Sequence, residues 1–322
     1  MLKINEFISK NLPLLILLMA IFTYLSPYYW KVYPWVPSLL LGIVIFFTGI
    51  SMDVSSIKAI KTKKRELFIA TFLKWTLTVL ISIALAHLFF SEKPEIAAGF
   101  ILSGVVPSAT AATLYTFIAG GNTSLVIGAS LLDIFVSPVI APLSMLGLPG
   151  NTVTISIFSL LKSFVTIVLI PLFAGLVIQR SVPSLVVHSK SITKFGSSVS
   201  LLLIIHTLVG SGKETISTEL AAIPILLIVT FVQVVLPMFL AYFIARKLSV
   251  NEADSRAIFF QVGLCNTALA AILAYEFIGN LAAVAPILNM IINLSMGAFF
   301  ANYFSSKQEM LELSNKNTEA VK

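Results

Sequence analysis

Long apolar runs, punctuated by Gly, Pro and clusters of charge, divide this chain into ten segments, at about 12–25, 35–52, 67–90, 96–118, 124–146, 157–178, 192–209, 220–243, 257–278 and 281–304. Within each run the apolar residues are continuous rather than alternating. The two-residue period of a membrane β-barrel strand is therefore missing. Most runs have about the 20 residues that a bilayer core requires, and inside lipid a lone segment satisfies its backbone polar groups only as a helix. The first run is short, with room to extend through Tyr29. The pattern predicts an all-α membrane protein with ten transmembrane helices.

Composition strengthens this reading. The chain is 58% hydrophobic and 11% charged, with a mean hydropathy of +1.00, whereas soluble domains carry roughly 25% charged residues. The first segment lacks a small-residue cleavage site and is followed by further spans, so it reads as a membrane helix rather than a signal peptide. The single cysteine, Cys265, excludes an internal disulfide framework. The net charge of +7 would draw attention to nucleic acid if it were not distributed by topology. With the N-terminus inside, sixteen Lys and Arg residues fall on one side, among them Lys3, Lys10, Lys58, Lys61, Lys63, Arg246 and Lys322; only Lys31, Lys93 and Lys213 fall on the other. This bias predicts cytoplasmic termini in a cell inner (plasma) membrane and leaves no role for nucleic acid.

Ten spans divide into five plus five, and an odd-numbered half forces the second half to be inverted. The fourth and ninth segments share a feature. Each is interrupted by polar or helix-disfavouring residues, at 103–110 (around Pro107) and at 261–267 (around Gly263). Breaks at equivalent positions of two halves point to a transporter binding site. Either break alone would read as a kink or a packing contact.

Few charges lie inside the spans. Lys74 and Asp133 are the clear cases, and Lys162 lies near a helix end, where it can snorkel. At about 1.5 Å per residue, Lys74 lies roughly 12 Å and Asp133 roughly 16 Å from the inner ends of their helices. Gln261, Cys265 and Pro107 fall in the same slab. Lys74 and Asp133 are expected to pair or share a polar cavity, with Ser130 on the same helix face as Asp133. Ser108, Thr110, Thr113, Asn266 and Thr267 flank the breaks. If the breaks cross, two half-helix N-termini meet and favour an anionic group. Asn289 and Asn293 read as interhelical hydrogen-bonding residues. His87 and His206 read as packing residues, and His188 falls in a loop. No metal-binding His pair, phosphate loop or nucleophile elbow is present. The sequence therefore predicts no enzyme, no cofactor and no metal site.

The ten-segment plan, the paired breaks and the two motifs Pro107-Ser108-Ala109-Thr110-Ala111-Ala112-Thr113 and Gln261-Val262-Gly263-Leu264-Cys265-Asn266-Thr267-Ala268-Leu269-Ala270 resemble the bile acid:sodium symporter family over about residues 12–304. The second motif is similar to that family's Glu-Val-Gly-x-Gln-Asn-x-x-Leu-Ala signature. The resemblance implies a panel domain (1–52 and 153–211, segments one, two, six and seven) and a core domain (66–147 and 217–305), followed by a cytoplasmic tail at 306–322. It also implies that segments four and nine cross at their breaks. The chain departs from the family where sodium ligands stand. Gln261 replaces a Glu, Cys265 a Gln, Ala112-Thr113 a Ser-Asn pair, Lys74 a Gln, and Val126 one of two hydroxyl positions, the other being Ser130.

The resulting expectation is a secondary transporter of small organic anions, embedded in the lipid bilayer, with sodium coupling lost or altered. Ser108, Thr110, Thr113, Asn266 and Thr267 are the candidate substrate-binding residues. Lys74, Asp133, Gln261, Ser130 and Cys265 are the candidate coupling residues, with protons or sodium as the coupling ion and Lys74 standing in place of a cation. The alternatives are a cation/proton antiporter using Asp133, an anion-binding receptor that does not transport, and metalloid efflux through Cys265.

Overall fold

The computed structural model describes residues 11–33, 35–51, 62–148 and 156–320, with backbone alone at 157, 183–194 and 307–320. Lys3, Lys10, Lys58, Lys61 and Lys322 lie outside the described residues. Among the described residues nearly all are helical and no strand forms. The helices are α1 (Leu12–Leu25), α2 (Val36–Ser51), α3 (Lys64–Phe90), α4 (Pro94–Gly104), α5 (Thr110–Ile118), α6 (Thr123–Ser144), α7 (157–181), α8 (Pro183–Thr218), α9 (Ile223–Lys247), α10 (Glu252–Gly263), α11 (Thr267–Phe277) and α12 (Val284–Ala320).

Six helical stretches, lying in α3, α6, α7, α8, α9 and α12, are long and apolar enough to cross a membrane. Large apolar side chains such as Leu80, Phe135, Phe158, Phe243 and Phe299 stand on their outer surfaces, where lipid rather than water must cover them. This is a multi-pass membrane protein.

Two helix ends differ from the sequence expectation, while α1 keeps the expected 12–25 and does not extend through Tyr29, because Ser26 turns to extended backbone ahead of Pro27. α8 begins at Pro183, well before the apolar run, and places residue 188 in a helix rather than a loop. α12 continues to Ala320 through the polar stretch read as a tail. Helices form from their polar sequence as readily as from apolar sequence, so a hydropathy boundary is no helix boundary.

The helices contact one another in two groups. α2 packs on α7 and α8, and α8 on α1; the remaining helices pack mainly among themselves. Glycines set the closest approaches. A Cβ on Gly49 would lie 2.5 Å from the Leu172 carbonyl oxygen, and one on Gly175 would lie 2.2 Å from that of Phe46. α2 and α7 thus meet backbone to backbone, as small residues allow in membranes. In the second group, a Cβ on Gly99 would lie 1.8 Å from the Ala282 carbonyl oxygen.

Candidate functional site

The two interrupted segments cross. Residues 105–109 separate α4 from α5, and residues 264–266 separate α10 from α11. Ser108 and Cys265 face each other in an antiparallel bridge. The Ala109 N–H donates to the Leu264 carbonyl at 2.8 Å, and the Asn266 N–H donates to the Pro107 carbonyl at 2.7 Å. Broken backbone is tolerated at membrane depth only where its polar groups find partners, and here each break supplies the other's.

α5 and α11 both start at this crossing. Asn266 caps α11, its Oδ1 accepting from Leu269 N–H at 3.3 Å. Ala109 stands at the cap position of α5 and offers no side chain. The N-terminal turn of α5 is therefore the less capped of the two, and Thr110 is exposed beside it. Thr113 is half-buried one turn on, and Thr267 is buried.

Asp133, on α6, lies against one strand of the crossing and is fully buried. Four donors converge on its carboxylate. Trp75 Nε1–H reaches Oδ1 at 2.8 Å. Oδ2 accepts from the Ser108 N–H at 3.2 Å, the Ser108 hydroxyl at 2.6 Å and Gln261 Nε2–H at 2.7 Å. Because a carboxylate only accepts, the Gln261 amide must turn its nitrogen toward Asp133. Its Oε1 is then taken by the Ser130 hydroxyl at 3.2 Å.

Lys74 lies against the other strand. It sits on α3 at the start of a π-helical turn, Lys74–Thr78, the kind of local widening that recurs at functional positions. Its side chain is fully buried, and Nζ donates to Cys265 Sγ at 3.2 Å. Lys74 and Asp133 do not form an ion pair; the Ser108–Cys265 bridge stands between them, one residue bonded to each. All five coupling candidates therefore join one network.

Sequence reasoning missed several parts of this surrounding. Trp75 holds Asp133 from the same π turn as Lys74. Asn293, read from the sequence as an interhelical hydrogen-bonding residue, takes that role: its Nδ2–H donates to the Cys265 carbonyl at 3.1 Å. Gln233, a buried amide in the middle of α9, donates to Ser82 Oγ at 2.9 Å and to the Phe100 carbonyl at 2.7 Å, and accepts from Asn289 at 2.8 Å. A lone amide within a long apolar run could have been singled out by the cost of burying it. His206 is held by Thr23 and by the Trp30 N–H. Acceptance at Nε2 places the neutral ring's proton on Nδ1. Among the described residues, no group of His, Cys, Asp and Glu could hold a metal ion.

With paired breaks zipped together beside buried polar side chains, the geometry is that of a transporter crossover. The sequence profile of the Sodium Bile acid symporter family matches residues 38–219. The chain belongs to that family. YocS of Bacillus subtilis, described as an uncharacterized sodium-dependent transporter, is 26% identical over 321 residues, covering 98% of this chain and 97% of its own. The probable sodium/metabolite cotransporter BASS1 of Arabidopsis thaliana chloroplasts is 25% identical over 295 residues, covering 88% and 70%. The family and these relatives are transporters, not enzymes.

Proposed function

We propose that this protein is a secondary transporter of small organic anions in which Lys74 takes the place of a coupling cation. The observation that carries the reading is the buried Lys74 ammonium on Cys265 Sγ, at positions where the family resemblance implies sodium ligands. The donor set there does not suit sodium. Sodium is a hard cation that needs several oxygens. Gln261 Oε1 is engaged by Ser130, Ala112 and Val126 offer no oxygen in their side chains, and Cys265 offers sulfur. A fixed ammonium adjacent to the site repels a second cation.

The anion would lie between the two helix groups, against the exposed start of α5 and the polar edge of Asn266, with Thr110 and Thr113 as hydroxyl donors. Free N–H groups and the positive helix end favour a carboxylate or sulfonate there. The helix contacts support reading α1, α2, α7 and α8 as a panel (1–52 and 153–211) and the rest as a core (66–147 and 217–305). In this reading ten spans form a 5+5 inverted repeat, with α4–α5 and α10–α11 as the broken spans, and both termini are cytoplasmic in the plasma membrane. Asp133 serves as a structural clamp rather than a proton carrier, since four donors already occupy its oxygens. This weighs against the cation/proton antiporter alternative.

The test is uptake of organic anions into proteoliposomes with sodium replaced by choline at fixed pH. Unchanged uptake supports the reading; steep, saturable sodium dependence overturns it. Asn266→Ala and Thr110→Ala should each raise the substrate KM about tenfold, as loss of one hydrogen bond to a charged group implies; thermal stability should stay near that of wild type in Thr110→Ala and fall by about 1 kcal/mol in Asn266→Ala, which also loses the α11 cap. Normal transport by both variants would move the substrate elsewhere.

A further inference from the structure

At one end of the molecule the two helix groups are joined by side chains that take no part in the crossover. Ser38, at the start of α2, donates its hydroxyl to Glu276, in the last turn of α11. Asn280, just beyond α11, donates Nδ2–H to the Ser211 carbonyl of α8 at 3.2 Å. Beside this seam Lys93, ahead of α4, pairs with Glu219, just after α8. The hydrogen bonds around Lys63, Asn122 and Asp254 at the opposite end stay within the second helix group.

Glu276 stands where helix electrostatics oppose it. A carboxylate at a helix C-terminus meets the negative end of the dipole, and no Lys or Arg pairs with it among the described ion pairs. Its described partner is the Ser38 hydroxyl on the other group. Such a side chain contributes little to α11 itself and acts by joining the groups. Both links also lie at or beyond the C-terminal end of α11, the helix that begins at the crossing, so separating them frees the element that carries Asn266 and Thr267.

We propose that the Ser38–Glu276 and Ser211–Asn280 hydrogen bonds form an outer latch that holds α2 and α8 against α11 and closes the path from outside to the crossover. The proposal rests on the transporter reading and its orientation. Cys265, the only cysteine of the chain and 5% exposed at the crossing, is a built-in reporter. Intact cells are treated with a membrane-impermeant maleimide. Wild-type Cys265 should react slowly from outside, and Ser38→Ala and Glu276→Ala should each speed the reaction about tenfold, as loss of a hydrogen bond to a charged group implies. As a second measurement, Ser38→Cys with Glu276→Cys in a Cys265→Ser background should form a disulfide under mild oxidation. Unchanged Cys265 reactivity in both alanine variants, a wild type that already reacts as fast as they do, or failure of the cysteine pair to cross-link would each overturn the latch. Labelling reads opening without any substrate. A protein that opens in this way but carries no organic anion would keep the latch and sink the transport reading instead.

Discussion

At the level of single residues, Asp133 and Gln261 explain each other. Asp133 needs donors, and Gln261 supplies one at 2.7 Å. A Glu at 261, as in the family signature, would place two carboxylates at hydrogen-bonding distance, where both cannot ionise. One of the two must then hold a proton, so Gln261→Glu should destabilise the protein by about 1–3 kcal/mol at neutral pH, the cost of taking up that proton. Thermal unfolding in detergent measures this. Adding Asp133→Asn should recover most of the loss, because the amide and the carboxylate then exchange places. The sequence made Lys74 and Asp133 visible, since a charge among apolar residues is conspicuous. It did not show that the Ser108–Cys265 bridge would separate them. Residue depth along a helix follows from the rise per residue, but the partner a side chain meets depends on helix rotation and on where two breaks cross.

Elements were legible to different degrees. The breaks at 105–109 and 264–266 were readable because Pro107 and Gly263 stand among polar residues. The π turns at Lys74–Thr78 and Val165–Leu169 carry no comparable mark, and neither does the continuation of α12. The α2–α7 crossing was silent because a glycine shows its purpose only when its neighbour is known. With carbonyl oxygens at 2.5 and 2.2 Å from their added Cβ atoms, Gly49→Val and Gly175→Val should each cost at least about 1–3 kcal/mol, the range for overpacking, read as a lower unfolding midpoint. The start of α10 makes a different prediction. Hydrogen bonding to Asp254 raises the Lys63 ammonium above its ordinary 10.5, so its contribution is present below that pH and is lost as pH rises through the folded value. For Glu252, burial opposes ionisation, but hydrogen bonds from Arg256 and Tyr242 outweigh it and lower the carboxyl below 4.5. Its contribution is present above pH 4.5 and is lost as pH falls through the folded value. Amide exchange across 248–256, corrected for intrinsic rates, should thus quicken in acid below this window while the crossover residues remain protected. Uniform quickening along the chain would refute a local clamp.

On the scale of the whole molecule, the proposed reading raises the question of what would move one helix group against the other if Lys74 stands in place of a coupling cation. In that reading the positive charge at the crossing belongs to an ammonium that never leaves the chain. Charge at the crossing then changes only if a proton comes or goes, or if the anionic substrate itself enters. Lys74 bonds to the Cys265 side of the bridge and Asp133 to the Ser108 side, so a shift of one break past the other alters the distance between opposite charges. Such a shift changes the electrostatic free energy of both and links movement to the charges held at the crossing. The consequence is measurable in proteoliposomes with an imposed pH gradient and no sodium. The wild type should accumulate the organic anion against its gradient. Lys74→Gln should lose accumulation while keeping one-for-one exchange, because it leaves the substrate site proposed on α5 and α11 untouched. Accumulation by Lys74→Gln equal to wild type would remove Lys74 from coupling. A wild type indifferent to the pH gradient would instead make the ammonium a permanent counter-charge and the protein an exchanger.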